Sequence, residues 1–433
     1  MKRREFIKLL GMAGLTAMSP WPRSLARAQS APYTGPLFVS IAAGGAWDVT
    51  SFCDPKENVG GEPEINHWSR NASTRSVAGT GIDYAPFAIN SEFFDRFGSD
   101  MLVINGVDAQ TNSHDVGVRH NWSGRIPHGY PTFAAVAATA LGTDLPLAYL
   151  SSGGYRETAG LTPYTVVQDT RSLRDLVNPN FVTWGDVEFH DQDDLDLIAG
   201  FQSDRLTALR GRPDLLPRTA RGIDSLLSAR ANRDQLASLT SLLPESPVDP
   251  TDKDGYWNPL LRQAEIALIA YSAGLTVAAD LITYGFDTHQ NHDADQAAAL
   301  TVLVNGINFL FDRAETMGIA DRLVVLVSSD FGRTPHYNDD NGKDHWPIGS
   351  AVFIQQGATW GGRTVGLTDG GHNAMPINPS TLAVDATSNG VYIRPKHIHE
   401  AFRRLAGVDA HSASSAFDLD AESFDFFNPA LST

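Results

Sequence analysis

Three segments set carboxylates and imidazoles where an apolar run gives way to a loop: Phe286-Asp287-Thr288-His289, Ser329-Asp330-Phe331-Gly332-Arg333 and Lys343-Asp344-His345-Trp346. Hard oxygen ligands and imidazoles gathered at strand ends are how an open α/β sheet builds a metal site. Side chains at i and i+2 of an extended segment point the same way, so Asp287 and His289 can share one ion; an Asp-Thr-His turn would use the same residues. Asp330 closes the apolar run 323–327. Arg333 in the same loop could fork two hydrogen bonds onto a phosphate or sulfate, or pair structurally with Asp330. Asp344 and His345 precede Trp346-Pro347, where a loop ion pair beside a buried Trp is the competing reading. Upstream, Asp48 follows an apolar run and Gly44-Gly45, where a carboxylate can take a cation and a turn aspartate would look the same. Ser113 stands at an expected helix start. Backbone N–H groups and the helix dipole there favour an alkoxide or a bound anion, and equally an N-cap serine. His114, Arg119 and His372 read as structural. In order along one chain, the set reads as a metal-assisted hydrolase site on one sheet edge.

The elements that must position these residues follow from apolar periodicity. Residues 37–43, 101–105, 147–150, 281–284, 323–327 and 351–354 are short apolar runs of strand type. The run 323–327 is continuous, as in a parallel sheet covered on both faces. Helices are expected from about 113 to 124, over 132–141, 260–279 and 295–317, and over 397–405. The 295–317 segment carries Leu300, Leu303, Val304, Ile307, Leu310, Phe311 and Ala314 on one face. Strand, long helix, strand is a βαβ unit. Between 151 and 255 the texture changes to charged, leucine-dotted segments broken by Pro and Gly, which reads as a helical insertion or cap over the sheet edge. Its acidic run, 191–196, is expected as a solvated loop. A calcium loop needs Gly at its sixth and Glu at its twelfth position, and the run offers Asp196 and Gln202.

The chain has 433 residues, 42% of them hydrophobic, enough for a large core. Its formal net charge of -17 argues against a nucleic-acid partner. A single cysteine, Cys53, excludes an internal disulfide. At the N-terminus a basic stretch with Arg3-Arg4, Phe6 and Lys8 precedes an apolar stretch and Ala26-Arg27-Ala28. That order is a signal peptide over 1–28 of the twin-arginine type, ahead of one domain over 29–433. It implies the twin-arginine translocase as an export partner and a periplasmic or secreted location. No other apolar run reads as long enough to span a bilayer.

Together the motifs resemble the alkaline phosphatase and sulfatase superfamily. More closely, they resemble a set of twin-arginine-exported bacterial proteins classed there as a domain of unknown function, number 1501. The matching pieces are Gly44-Gly45-Ala46-Trp47-Asp48, Asn112-Ser113-His114 with Trp122-Ser123-Gly124, Gly285 through His289, Ser329 through Pro335, Lys343 through Pro347, and Gly361-Gly362. The resemblance implies an α/β fold, an alkaline-phosphatase-like, mostly parallel sheet flanked by helices with a helical insertion. It implies a divalent metal (Zn, Mn, Mg or Ca; one or two ions) and a small anionic ester as substrate. Asp48, Asp287, His289, Asp330 and His345 would be metal ligands, Ser113 the nucleophile and Arg333 its catalytic companion. Two departures stand out: Phe331 occupies the place of a usual histidine, and Asp287 and His289 are closer together than the usual pair, which leaves one nitrogen ligand missing unless His114, His292 or His372 supplies it. A non-catalytic exported binding or assembly protein that keeps the fold is the alternative they leave open.

Overall fold

The computed structural model describes residues 32–177, 180–182, 187–231 and 233–431; the expected signal peptide, 1–28, lies outside them. Its centre is a seven-stranded sheet. In chain order the strands are β1 (Leu37–Gly44), β2 (Met101–Asp108), β3 (Tyr149–Ser151), β4 (Ala278–Tyr284), β5 (Leu323–Ser329), β6 (Ile348–Ile354) and β7 (Arg363–Val365). They lie in the order β7-β2-β6-β5-β1-β4-β3. β1 pairs in parallel with β4 and β5, β3 with β4, and β7 with β2. β6 alone runs against its neighbours. The sheet is thus mostly parallel, as the motifs imply.

The period of two along β1 divides the core. Leu37, Val39, Ile41 and Ala43 face one layer, with α1 (Asn90–Phe97), α4 (Pro259–Ser272) and α5 (His292–Thr316). Phe38 faces the other, with Phe133 of α3 (Phe133–Leu141) and Phe402 of α6 (Pro395–Leu405). Among the described residues α5 is the one helix long and apolar enough to cross a membrane. Its apolar stripe, Leu300, Leu303, Val304, Ile307 and Leu310, is spent on this core.

Two expectations need correction. The helix expected over 260–279 stops at Ser272, because Gly274 takes a left-handed φ of 73° and β4 already begins at Ala278. The acidic run 191–196 is helical rather than a loop: Asp191 caps the backbone N–H of Asp194 and opens the helix Gln192–Arg210. That helix, with Thr170–Val177 and Pro217–Ala231, forms the charged middle of the chain.

β1, β4 and β5 are adjacent and parallel, so their carboxyl ends share one edge, and the reversed β6 begins there. The segments rich in Asp and His leave or enter the sheet at that edge.

Candidate metal centre

Asp287 and His289 follow β4, and Asp330 follows β5. His345 lies in the short strand His345–Trp346, paired with Gly332–Arg333 just ahead of β6. His114 opens α2 (His114–Ser123), in the loop beyond β2. The crossing is tight enough to demand glycine at Gly45, where φ is 111° and a Cβ would stand 2.6 Å from the backbone nitrogen of Asp287.

Three ligand atoms meet there, from His114, Asp287 and His345, and His289 stands beside two of them. His345 Nε2 lies 3.1 Å from His114 Nε2, 2.9 Å from His289 Nε2 and 3.3 Å from Asp287 Oδ1. Asp287 Oδ1 is in turn 3.5 Å from His114 Nε2 and 3.2 Å from His289 Nε2. Each ring is held from behind. His114 Nδ1 donates to Asp330 Oδ2, His289 Nδ1 to Asp344 Oδ1 at 2.8 Å, and His345 Nδ1 to the Asn112 carbonyl at 2.7 Å. Carboxylates and carbonyls only accept, so the proton of each neutral ring sits on Nδ1 and its Nε2 lone pair is bare. Three bare lone pairs and a carboxylate oxygen repel one another unless a cation lies among them. A tetrahedral zinc with Zn–N of about 2.0–2.1 Å would set its ligands about 3.3–3.4 Å apart, close to the separations above, and the ligand atoms of His114, Asp287 and His345 all lie within 4.8 Å of one another. The donor set therefore fits a metal ion.

The electrostatics agree. Burial pushes the Asp287 carboxyl up, but the Arg333 guanidinium, 2.5 Å away, and His345 outweigh it and hold its pKa down to about 2. The hydrogen bond to Asp330 raises the His114 pKa. Asp330 is buried, which alone would raise its own pKa; His114 and the backbone N–H of Ala46 bring it below the usual range.

Of the residues singled out from sequence, Asp287, His289 and His345 come together directly. Asp330 joins them one bond removed: Oδ1 accepts from the Gly45 and Ala46 N–H groups, and Oδ2 orients His114. Asp48 does not join them. Its fully buried carboxylate is bonded to Lys343 Nζ at 2.7 Å, His292 Nε2 at 2.9 Å, and the Thr50 and Ser51 hydroxyls. Arg333 is no open clamp. It is fully buried and donates to the carbonyls of Ala46, Lys343 and Gly45 and to Asp287. It ties the exits of β1 and β4 together. Ser113 is the N-cap residue of α2, exposed and without a side-chain capping bond, and it does not line the cavity described next.

One residue reads two ways in the sequence and one escapes it. His114 reads as structural, and also as one of three residues that could supply a missing nitrogen ligand; its signal was the absence of a histidine at Phe331. Lys343 gave none, since a lysine between Gly342 and Asp344 does not look buried in one dimension. Its Nζ sits among Asp48, Asn66 Oδ1 (3.0 Å) and Thr50 Oγ1 (3.2 Å), 5.1 Å from the centre of the Tyr337 ring. Phe331 packs its ring against both His114 and His345, with centroids 4.8 Å apart in each pair. It fills with hydrocarbon the place where another nitrogen ligand was looked for. His372 and Arg119 are structural, bonded to the carbonyls of Ile348 and Ile126.

A cavity of about 370 Å³ opens beside the cluster and is bounded by His114 and Asp287.

The model of a family described as a protein of unknown function (DUF1501) matches residues 262–419. No curated protein matches the sequence. Among solved structures the chain is similar to Ps i-CgsB in complex with k-i-k-neocarrahexaose, at 9% identity and a TM-score of 0.43, over 91% of this chain and 76% of that one. It is also similar to the PsFucS1 sulfatase from Pseudoalteromonas sp., at 10% identity and a TM-score of 0.38, over 86% and 68%. A third is the lipoteichoic acid synthase LtaP from Listeria monocytogenes, at 10% identity and a TM-score of 0.35, over 91% and 76%. No residue's role is taken from these likenesses.

Proposed function

From the premise that this chain is a DUF1501 protein, matched over residues 262–419, we propose that it is an exported, metal-dependent hydrolase of phosphate or related anionic esters. The supporting observation is the grouping of His114, His345 and Asp287, with His289 Nε2 3.2 Å from Asp287 Oδ1 and each of the three rings locked through its Nδ1. Imidazoles with one carboxylate favour zinc or another first-row transition ion over magnesium and calcium, which take oxygen ligands. The proposal is for one ion, because at Asp48 the Lys343 ammonium already supplies the counter-charge.

A bound divalent ion would supply Lewis-acid polarisation of the ester and a more acidic water. His114, His345 and Asp287 would hold it, with His289 beside His345, and a three-residue set leaves a fourth position for water or ester. Asp330, Asp344 and the Asn112 carbonyl fix the three rings, and Arg333 holds Asp287 in place. With Asp287, Asp330, Asp344 and Arg333 counted, a divalent ion brings the site to neutral, so an anionic ester would be drawn by the ion itself rather than by a net positive charge. Water is favoured over Ser113 as nucleophile, since the Tyr284 phenol is the only hydroxyl among the cavity-lining residues. Export rests on the twin-arginine pattern of residues 1–28.

The rival reading, a non-catalytic exported binding or assembly protein, is favoured by the engaged Arg333 and by a cavity lining that contains no Lys or Arg. The two are separated by metal analysis of the purified protein and by phosphomonoesterase and phosphodiesterase assays on wild type, Ser113→Ala and His345→Ala. The hydrolase reading expects a bound transition ion, turnover in wild type and Ser113→Ala, and loss of both ion and turnover in His345→Ala. Metal binding without turnover of any ester would favour the rival.

A further inference from the structure

The cavity beside the cluster has a composition that narrows what can occupy it. Its first wall follows from helix geometry. His114, Val118 and Trp122 are spaced four apart on α2, so one stripe carries a ligand of the cluster and, below it, two apolar side chains. The facing wall follows from strand register. Ala42 is paired with Ile282 and Gly44 with Tyr284 across β1 and β4, two steps apart on each strand and therefore on one face. Ala42, Ile282 and Trp122 form a small apolar cluster of their own, with Val118 packed against it. Tyr284 is 63% exposed and lies over Gly44, where a Cβ would come within 3.0 Å of its ring. Glycines at 45, 154 and 285 leave the rest of the lining without side chains. Asn121 is the one neutral amide, and the only carboxylates are Asp287 and Asp330.

Resting on the hydrolase reading above, we propose that the substrate is an ester whose organic part is compact, uncharged and apolar or aromatic, seated between the α2 stripe and the Tyr284 ring with its anionic head at the cluster. A second anionic group on that organic part would find no cation in the lining and would face two carboxylates. This disfavours polyanionic substrates such as nucleic-acid strands or multiply charged glycans. A cavity of about 370 Å³ is at the small end of ligand sites, enough for a single ring and its ester head.

The experiment is calorimetric binding of non-hydrolysable phosphonates to the metal-loaded full chain, so the readout does not depend on turnover. Phenylphosphonate is compared with methylphosphonate and with 4-carboxyphenylphosphonate on wild type, Val118→Asp and Tyr284→Ala. Wild type is expected to bind the phenyl compound at least tenfold more tightly than either of the others. Each variant, with its metal content intact, is expected to lose most of that preference. Tyr284→Ala alters a largely exposed side chain and so keeps the test readable if Val118→Asp does not fold. Equal affinity for phenyl and methyl, or preference for the carboxylated ring, overturns the apolar-pocket inference and leaves the metal-ester reading standing. If the protein holds its metal and binds none of the three, the anionic-ester reading itself falls, and this inference with it.

Discussion

A histidine is a good ligand only when its other nitrogen is told what to do, and Asp330 does this for His114. Its Oδ1 is pinned by the Gly45 and Ala46 amides, leaving Oδ2 to fix the ring. Replacing Asp330 by Asn keeps the shape but takes away the charge that favours an Nδ1–H. Metal affinity is expected to fall about 10–100-fold, the usual cost of losing such a partner, while the circular dichroism spectrum stays that of the wild type. A competition titration against a chromophoric chelator measures it; an unchanged affinity would remove Asp330 from the centre. At this scale the sequence was half transparent. Asp287, His289 and His345 announce themselves because they are polar at the ends of apolar runs. His114 was legible only as one of three histidines that could supply a missing nitrogen, because the residue before it offers a more familiar chemistry. The separation of Asp48 from the cluster was invisible, since it depends on a lysine 295 positions away folding back onto it.

Strands and helices were read well wherever one period dominated. The continuous run of β5 and the stripe of α5 appear within a few residues of their expected limits. The expected helix over 260–279 overran because Ala-rich and Leu-rich stretches serve helix and buried strand alike, and only Gly274 marks the change. β4 also carries a carboxyl of another kind. Asp280 is buried mid-strand; its Oδ2 accepts from the Tyr149 hydroxyl at 2.5 Å and its Oδ1 has no partner. Burial pushes its pKa up to about 8. The unfolded chain releases this proton near pH 4 and the folded chain keeps it until about pH 8, so between those values the unfolded state binds fewer protons. Stability therefore falls as pH rises through that window, by roughly 1.4 kcal/mol per unit from this group alone. Asp280→Asn, compared with wild type by urea unfolding at pH 5 and pH 8, is expected to gain stability relative to wild type at the higher pH. A difference independent of pH would show that the carboxyl does not titrate this way.

At the scale of the whole molecule one positive charge of the chain holds the sheet edge, and the proposed ion would add a second. Lys343 is fully buried, and burial lowers its pKa against the opposing pull of Asp48. Lys343→Met would leave Asp48 with a buried charge and only His292 beside it, a loss expected to cost about 3–5 kcal/mol in denaturant unfolding. The double variant with Asp48→Asn is expected to recover a good part of that. The proposed metal would act by mass action instead. At a free concentration 100-fold above its dissociation constant it stabilises the fold by about 2.7 kcal/mol, so an excess of chelator is expected to lower Tm by several degrees in wild type and not in His345→Ala. Chelation that leaves Tm unchanged would mean that these side chains hold no ion.

The ammonium of Lys343 has one more consequence. It is covalently part of the polypeptide, so neither scarcity nor a competing sequestering agent in the surroundings can strip it away. Beside it, the proposed ion would be exchangeable and would answer to the environment. Withdrawing it should give a single-step transition that returns fully when the ion is restored, because the Asp48 half of the scaffold stays assembled throughout.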